Sequence, residues 1–385
     1  MPEHDPLKFA TELSAKLATR ARHVCLLLGA GASRACGLPD VYQLQDRVLE
    51  RLQGADRIAF EKQLEGRNLE EALSRLRRIA VLLTGTQTVD DLTSAQAAEL
   101  DAAVCHAIVA ELDTGQADLQ PALRLAAWAA RADYSYPLEV FTVNYDLLVE
   151  TALERRRVPY FDGFVGAVGA PFHTDLVEGT PGGDREWVPS FFVRLWKLHG
   201  SVNWTWNESQ QIVRLGQPVT AGLAAAIYPS DAKYEESRRM PFVVLQDRLR
   251  RALLQPETIL LIAGYSFSDA HLNELIFDAA ARRERSEFVA FCYSDIPELL
   301  ADRATTIPNL QVVTGREAIL GGIRAPWKEP DGGLPPNLWE DGQFGLRDFR
   351  NLAAYLARST SREADPDALM RVALPGVIAN ATPNP

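Results

Sequence analysis

The chain has 385 residues and a net charge of −11, and 47% of its residues are hydrophobic while 24% are charged. The length is enough for two domains or for one domain with a large insertion, and the composition is typical of a globular protein. The acidic charge argues against nucleic-acid binding, which usually needs a basic surface. No apolar run is long enough to span a bilayer, and the N-terminal residues lack the apolar core of a signal peptide. We therefore expect a cytoplasmic protein that binds neither nucleic acid nor membranes.

The four cysteines are scattered along the chain. They are Cys25, Cys36, Cys105 and Cys292, and none belongs to a Cys-x-x-Cys pair. Structural zinc sites usually use such pairs. We therefore expect no metal site, and we expect the four thiols to be buried among apolar side chains.

A short glycine-containing turn follows the first predicted strand. The chain begins with a predicted helix over residues 5–22, and residues 24–28 are all apolar, as in a strand buried on both faces. Residues 29–33 then read Gly-Ala-Gly-Ala-Ser. Glycines let a backbone approach a phosphate closely, and the amides at a helix start attract the anion. Arg34 stands where the third glycine of a dinucleotide-binding turn would fall, so an ordinary tight strand-to-helix turn is the alternative.

A predicted helical region separates this strand from the next one. Asp40 can cap a helix that ends at Gly54, and residues 55–135 then carry apolar side chains at helical spacing. This pattern predicts three to five inserted helices. His106 lies on the apolar side of one of them, which favours a structural role over a catalytic one.

Three further predicted strands each end in a polar or glycine-containing motif. They cover residues 138–143, followed by Asn144 and Asp146; residues 193–198, followed by His199; and residues 258–263, followed by Gly264. In an open α/β sheet, ligands bind at the carboxyl ends of the strands, so these motifs are expected to share one pocket. The alternatives are that Asn144 only caps the following helix and that His199 is structural.

Strands that alternate with helices predict an α/β fold with a Rossmann-like parallel sheet, a helical insertion and a small loop-rich subdomain. Additional strands are expected at residues 287–293 and 310–314, the latter as the last of the sheet. The expected boundaries are residues 1–54 and 136–323 for the α/β domain, 55–135 for the insertion, 158–192 for a loop-rich cover within the α/β domain, and 324–385 for a C-terminal linker, helix and partly disordered tail.

Four motifs together resemble the sirtuin family, and more closely its bacterial NAD-consuming branch without the zinc ribbon. In the family's order they are residues 29–33 with 37–40 (GAGAS and GLPD), residues 142–146 (TVNYD), residues 199–200 (HG) and residues 264–266 (GYS). The resemblance covers about residues 20–320. It implies that NAD is bound as a substrate and that no metal is needed.

The resemblance also implies roles for individual residues. His199 would be the general base, and Asn144 and Asp146 would orient the nicotinamide and its ribose. The NAD-binding residues would be Gly29, Ala30, Gly31, Ser33, Asp40, Thr142, Gly264, Tyr265 and Ser266.

The implied activity is that of an NAD glycohydrolase that depletes NAD in bacterial antiphage defence. Such an enzyme needs restraint until it is triggered, so a homo-oligomer or a regulatory partner is expected, such as a DNA-translocating ATPase or a short Argonaute-like protein. The alternatives are an NAD-dependent protein deacylase and a non-catalytic sensor of NAD or ADP-ribose. Val41, Tyr42 and Val143 depart from the deacylase pattern, and no cysteine closely follows His199.

Overall fold

The computed structural model describes residues 2–179, 188–219 and 240–359, and the backbone of residues 225–227. The predicted C-terminal tail lies outside these residues. The α-helices are α1 (Pro6–Leu17), α2 (Ala30–Arg34), α3 (Val41–Arg51), α4 (Gly54–Leu64), α5 (Leu69–Leu82), α6 (Ser94–Glu111), α7 (Gln120–Ala129), α8 (Leu148–Arg155), α9 (Thr174–Glu178), α10 (Phe242–Leu253), α11 (Ala270–Arg282), α12 (Glu298–Thr306) and α13 (Phe349–Ser359), with 3-10 turns at Thr114–Gln116 and Gly345–Arg347.

The strands form one large sheet, one small sheet and a short hairpin. They are β1 (His23–Leu28), β2 (Glu139–Thr142), β3 (Tyr160–Phe161), β4 (Gly169–Pro171), β5 (Val193–Lys197), β6 (Gly200–Trp206), β7 (Ile212–Leu215), β8 (Ala225–Ile227), β9 (Thr258–Ala263), β10 (Glu287–Phe291), β11 (Leu310–Val313), β12 (Glu317–Leu320), β13 (Ile323–Pro326), β14 (Trp339–Glu340) and β15 (Gln343–Phe344).

The large sheet has the strand order β13-β12-β11-β10-β9-β1-β2-β5-β3. The strands from β11 to β3 are parallel, and β12 and β13 add an antiparallel edge. The chain builds outward from β1 through β2 and then returns to the other side of β1 with β9. The strand order therefore reverses between β1 and β9, which is where open α/β sheets bind ligands. The predicted α/β fold with a Rossmann-like sheet is confirmed.

Strand β1 lies at the centre of the sheet and is buried along its whole length. Val24, Leu26 and Leu28 face one side, where they pack with the cluster that includes α1, α7, α8 and α13. Cys25 and Leu27 face the other side, which is covered by α10, α11 and α12. Because alternate residues of a strand point to opposite faces, an unbroken apolar run is the pattern that a sheet covered on both sides requires.

A separate apolar cluster joins α3, α4, α5 and α6 into a helical group. Capping boxes begin three of these helices, with Asp40, Asn68 and Thr93 as the capping residues. The group therefore begins at α3, whereas the composition suggested an insertion over residues 55–135. Helix α7 packs instead against α8 and α13, beside the large sheet.

A second sheet, in the order β4-β7-β6-β8, is antiparallel, and only its strand β4 lies within residues 158–192, the region expected to be rich in loops. The expectation that residues 310–314 form the last strand of the large sheet is wrong, because β12 and β13 follow as a hairpin. Gly321 and Gly322 both have positive φ, as the two-residue turn of such a hairpin requires. Across the described part of the chain, the helices lack the combination of length and apolar character that a bilayer crossing demands.

Candidate active site

The loops that follow β1 and β9 are in direct backbone contact at the point where the strand order reverses. The amide of Gly29 donates to the carbonyl of Ala263 (3.0 Å), and that of Gly31 donates to the carbonyl of Gly264 (2.9 Å). A Cβ on Gly29 would lie 2.5 Å from the Gly264 oxygen, and one on Gly264, whose φ is +67°, would lie 2.3 Å from the Ala32 nitrogen. The glycines therefore allow two loops to touch, and two of the amides predicted to face a phosphate are bonded to protein carbonyls.

Three polar side chains connect the β1 loop with the β2 loop. Ser33 Oγ donates to Asp146 Oδ2 (2.5 Å), and Asn144 Nδ2 donates to Ser33 Oγ (2.8 Å) and to the carbonyl of Gly29 (2.9 Å). Thr142 Oγ1 donates to the carbonyl of Leu28 (3.1 Å) and accepts from the amide of Asn144 (3.0 Å). Five of the predicted site residues, namely Gly29, Ser33, Thr142, Asn144 and Asp146, thus form one continuous network.

The alternative that Asn144 only caps the following helix is wrong. Helix α8 begins at Leu148, and the amide of that residue donates to Asp146 Oδ1 (3.0 Å). Asp146 therefore holds the helix start with one carboxylate oxygen and Ser33 with the other. The Asn144 side chain is directed instead at the glycine loop.

Asp40 lies at the start of α3, where it caps the helix through the amide of Gln43 (3.0 Å). Its other oxygen lies 3.2 Å from a guanidinium nitrogen of Arg34. The predicted cap is confirmed.

His199 lies just beyond β5, and its Nε2 is 3.3 Å from Asp269 Oδ2. Both residues are buried. Asp269 also caps the helix after β9, because its Oδ1 accepts from the amides of His271 (2.9 Å) and Leu272 (3.2 Å). The contact with His199 joins residues 70 positions apart, so no local pattern could reveal it. The available signal was that both follow strands whose carboxyl ends share one edge.

The loop from Gly264 to Asp269 is held by its own side chains. Tyr265 is buried, and its hydroxyl lies 3.0 Å from Asn273 Oδ1 and 3.3 Å from the carbonyl of Asp269. Ser266 is exposed and is hydrogen-bonded to Ser268 (2.9 Å). The hydroxyl of Tyr265 therefore supports the loop from within, whereas Ser266 faces outward.

Lys197 is a second functional candidate that the sequence reasoning missed. Its buried ammonium group donates to the main-chain carbonyls of Tyr145 and Asp146 and lies 2.9 Å from Glu150 Oε1. A lysine at the end of a predicted buried strand was a signal, because a buried ammonium needs a partner. The contact fixes the backbone of the loop that carries Asn144 and Asp146.

A cavity of about 20 Å³ is lined by Ser33, Thr142, Asn144 and Asp146, among others. This volume holds about one water molecule and is smaller than a nicotinamide ring. Polar atoms of the network are thus placed to hydrogen-bond a single water.

A different buried polar cluster lies at the opposite edge of the sheet, where β1 and β2 begin. Glu139 accepts from Arg248 Nε (2.8 Å) and Nη2 (2.5 Å), from Trp196 Nε1 (2.7 Å) and interacts with His23 Nε2 (2.8 Å). Burial alone would raise the pKa of Glu139, but Arg248 and His23 hold it below its usual range. Burial would likewise lower the pKa of His23, but Cys25 and Glu139 raise it.

The donor atoms of His23, Cys25 and Glu139 lie within 4.8 Å of one another, as ligands of a metal ion would. The Arg248 guanidinium and the indole of Trp196 already occupy the carboxylate, and burial raises the pKa of the Cys25 thiol. The cluster therefore fits a buried ion pair better than a metal centre.

Comparison with known proteins supports the four-motif resemblance over part of the chain. No curated protein matches the chain. Residues 138–307 match the family model of the SIR2-like domain, a range that includes Asn144, Asp146, His199 and Gly264 but begins after the glycine loop. Members of this family are NAD-dependent enzymes, so the match indicates NAD-related activity. Residues 138–307 are therefore similar to the SIR2-like domain, which supports the sirtuin-like resemblance over this part of the chain.

Proposed function

We propose that this protein is an NAD glycohydrolase, which hydrolyses the bond between the nicotinamide and the ribose of NAD. The observation that carries this proposal is the chain of contacts at one edge of the sheet. It runs from Asp146 through Ser33 and Asn144 to Gly29, and then across the β9 loop to Asp269 and His199. One substrate lying along this edge could meet every predicted catalytic residue.

The chemistry requires an oxygen nucleophile and an environment that stabilises positive charge on the ribose. Nicotinamide leaves as a neutral ring, and the transition state resembles an oxocarbenium ion. His199 would accept a proton from the attacking water, while Asn144 and Asp146 would hold the nicotinamide, its ribose and the water in line. The buried setting of His199 and Asp146 keeps other water away from the reacting bond.

The NAD-binding residues of this proposal are those that the resemblance implies. Ala30, Gly31 and Ser33 would lie along the pyrophosphate, with Asp40 near a ribose. Ser266 is exposed at the same edge, where its hydroxyl, which is bonded to Ser268, would meet the adenosine ribose. The amides of Gly29 and Gly31 already donate to protein carbonyls, so the phosphates would be contacted by side chains and by other main-chain groups of the loop.

Two observations favour hydrolysis over protein deacylation. The four cysteines lie on separate elements as buried free thiols, so they do not form the zinc ribbon of protein-deacylating sirtuins. Valine at position 143 replaces the glutamine of the deacylase pattern. A sensor of NAD or ADP-ribose would need no general base, whereas His199 has a carboxylate partner suited to that role.

The proposed setting is bacterial antiphage defence in the cytoplasm, with NAD depletion as the outcome. An enzyme of this kind must be held inactive, so we propose a homo-oligomer or a partner such as a DNA-translocating ATPase or a short Argonaute-like protein. Tyr42, Val81 and Leu82 of the helical group are 75–80% exposed and offer apolar surface for such an assembly.

Purified protein incubated with NAD, and analysed by chromatography, tests the proposed function. We expect nicotinamide and ADP-ribose in equal amounts, formed in the absence of any acylated peptide. Nicotinamide release only with an acyl-lysine peptide would instead establish a deacylase. Tight NAD binding with no product, in the presence and absence of candidate partners, would establish a sensor.

A further inference from the structure

We propose that Asp269 positions His199 and selects its Nδ1 as the nitrogen that acts as the base. This inference concerns the site of the proposed function and rests on it for its kinetic consequence. Asp269 was not among the residues implied by the sirtuin resemblance.

The geometry gives the two oxygens of Asp269 separate tasks. Oδ1 accepts from the amides of His271 and Leu272 and so fixes the carboxylate to the start of α11. Oδ2 lies 3.3 Å from His199 Nε2. A carboxylate that is anchored through one oxygen can orient a partner through the other with little loss of side-chain entropy.

The loop that carries Asp269 is held in place by three hydrogen bonds. Asn273 Nδ2 donates to the carbonyl of Phe267 (2.7 Å), whose φ is +58°, and the Tyr265 hydroxyl lies between Asn273 and the carbonyl of Asp269. A left-handed backbone at a bulky residue persists only where surrounding contacts impose it. These contacts give Asp269 a fixed position opposite His199.

An ionised carboxylate can only accept hydrogen bonds, so the nitrogen that faces it must carry a proton. His199 Nε2 is then the donor, and Nδ1 holds the free lone pair. In the proposed reaction, Nδ1 takes a proton from water while the water oxygen bonds to C1′ of the ribose. The C1′–N bond breaks, its electron pair passes to the pyridinium nitrogen, and the imidazolium cation formed lies beside the Asp269 carboxylate.

The substitution Asp269→Asn separates positioning from helix capping. Asparagine caps helices about as well as aspartate, so α11 keeps its start, but the charge opposite His199 is lost. We expect the kcat of nicotinamide release to fall at least about 100-fold, with KM within about threefold of the parent value and an unchanged melting temperature. The matched control is Asp5→Asn, because Asp5 also caps a helix through two amides but stands at the start of α1.

A second measurement does not depend on turnover. The nitrogen shifts of the His199 ring, observed by NMR through its carbon-bound protons and assigned with His199→Gln, report which nitrogen carries the proton. We expect a proton on Nε2 and a bare Nδ1 in the parent, and a loss of that preference in Asp269→Asn. Asp269→Ser, which also caps helices, replaces the asparagine variant if the latter does not fold.

The two measurements distinguish the outcomes. A parent ring protonated on Nδ1, or an unchanged ring state in the Asp269 variant, overturns the positioning role. Normal kcat in a folded Asp269→Asn protein overturns it as well. If the parent shows the expected ring state but does not cleave NAD, the positioning inference stands and the proposed function fails.

Discussion

At the scale of single residues, Asn144 and His199 lie in different hydrogen-bonded groups that meet at one edge of the sheet. Asn144→Ala and His199→Ala should each lower the rate of nicotinamide release by about 10²–10⁴-fold, because each removes a group that, under the proposed function, acts on the reacting atoms. NAD affinity, measured by calorimetry, should change far less.

His106→Ala is the matched control for this prediction, since His106 is a partly buried histidine on α6. This substitution should change the free energy of unfolding more than it changes turnover. A fully active His199→Ala protein, together with a folded but inactive His106→Ala protein, would show that the catalytic centre is wrongly assigned to His199.

The Glu139 cluster makes a prediction about stability. Glu139→Gln leaves Arg248 and His23 without their buried carboxylate, which should lower the free energy of unfolding by about 3–5 kcal/mol in denaturant titrations. Glu317→Gln is the control, because Glu317 makes the same two-bond contact with Arg324 at the surface and should cost less than about 1 kcal/mol. Equal costs would contradict the importance assigned to burial.

The effect of Glu139→Gln should also depend on pH. Because the pKa of Glu139 is lowered in the folded protein, its ionised form stabilises the fold above about pH 4.3, and this stabilisation is lost as the pH falls. Because the pKa of His23 is raised, its protonated form stabilises the fold below about pH 6.5, and this stabilisation is lost as the pH rises. The stability difference between parent and variant should therefore be largest between those values. A difference that keeps growing above pH 7 would contradict this assignment of charges.

At the scale of elements, the contact between the β1 and β9 loops depends on glycine. Gly264→Ala combines a left-handed backbone, which costs about 1–2 kcal/mol, with an overlap of the new Cβ and the backbone of Ala32. Gly342→Ala has a similar φ of +71° with open space around it and isolates the backbone cost. Denaturation midpoints should show the larger loss for Gly264→Ala, and equal losses would mean that the loops adjust freely.

The helical group touches the candidate site through Tyr145, which lies between Asn144 and Asp146. Its hydroxyl donates to Glu70 of α5 (3.1 Å), and burial together with that carboxylate raises the pKa of the phenol well above its usual value. Tyr145→Phe should therefore lower kcat several-fold in a folded protein. Tyr160→Phe, which removes a similar bond to Glu154 (3.0 Å) on α8, should leave turnover unchanged; equal effects would argue against a link from the helical group to the site.

The sequence predicted those parts of the fold that depend on neighbouring residues. The apolar run of β1, the cap at Asp40 and the strand before Gly264 are local patterns, and the structure has all of them. The hairpin of β12 and β13 was missed although Gly321-Gly322 is a turn signal, because its strands have only four residues each.

The partners within the candidate site could not be predicted in the same way. Asp269 meets His199, and Lys197 meets Asp146, only because strands distant in sequence lie side by side. The helical group starts at α3 because side chains of that helix pack with α6, which is a property of the folded chain.

At the scale of the whole molecule, two buried polar clusters lie at opposite ends of the strands of the large sheet. The edge where the strands begin carries the buried ion pair of Glu139 and Arg248, and the opposite edge carries the candidate site. Helix α13 supports the glycine loop from outside, since Arg350 donates to the carbonyl of Ala35 (2.7 Å) and pairs with Asp118 (2.7 Å). This division leaves one edge for stability and the other for the proposed reaction.

The central claim is that water attacks NAD at this site, and isotope labelling tests it most directly. The purified protein is incubated with NAD in ¹⁸O-labelled water, and the products are analysed by mass spectrometry. Our account predicts free nicotinamide together with ADP-ribose that carries one ¹⁸O atom at C1′, and loss of both products in His199→Ala. Intact NAD under all activating conditions, or nicotinamide formed at the same rate by His199→Ala, would contradict it.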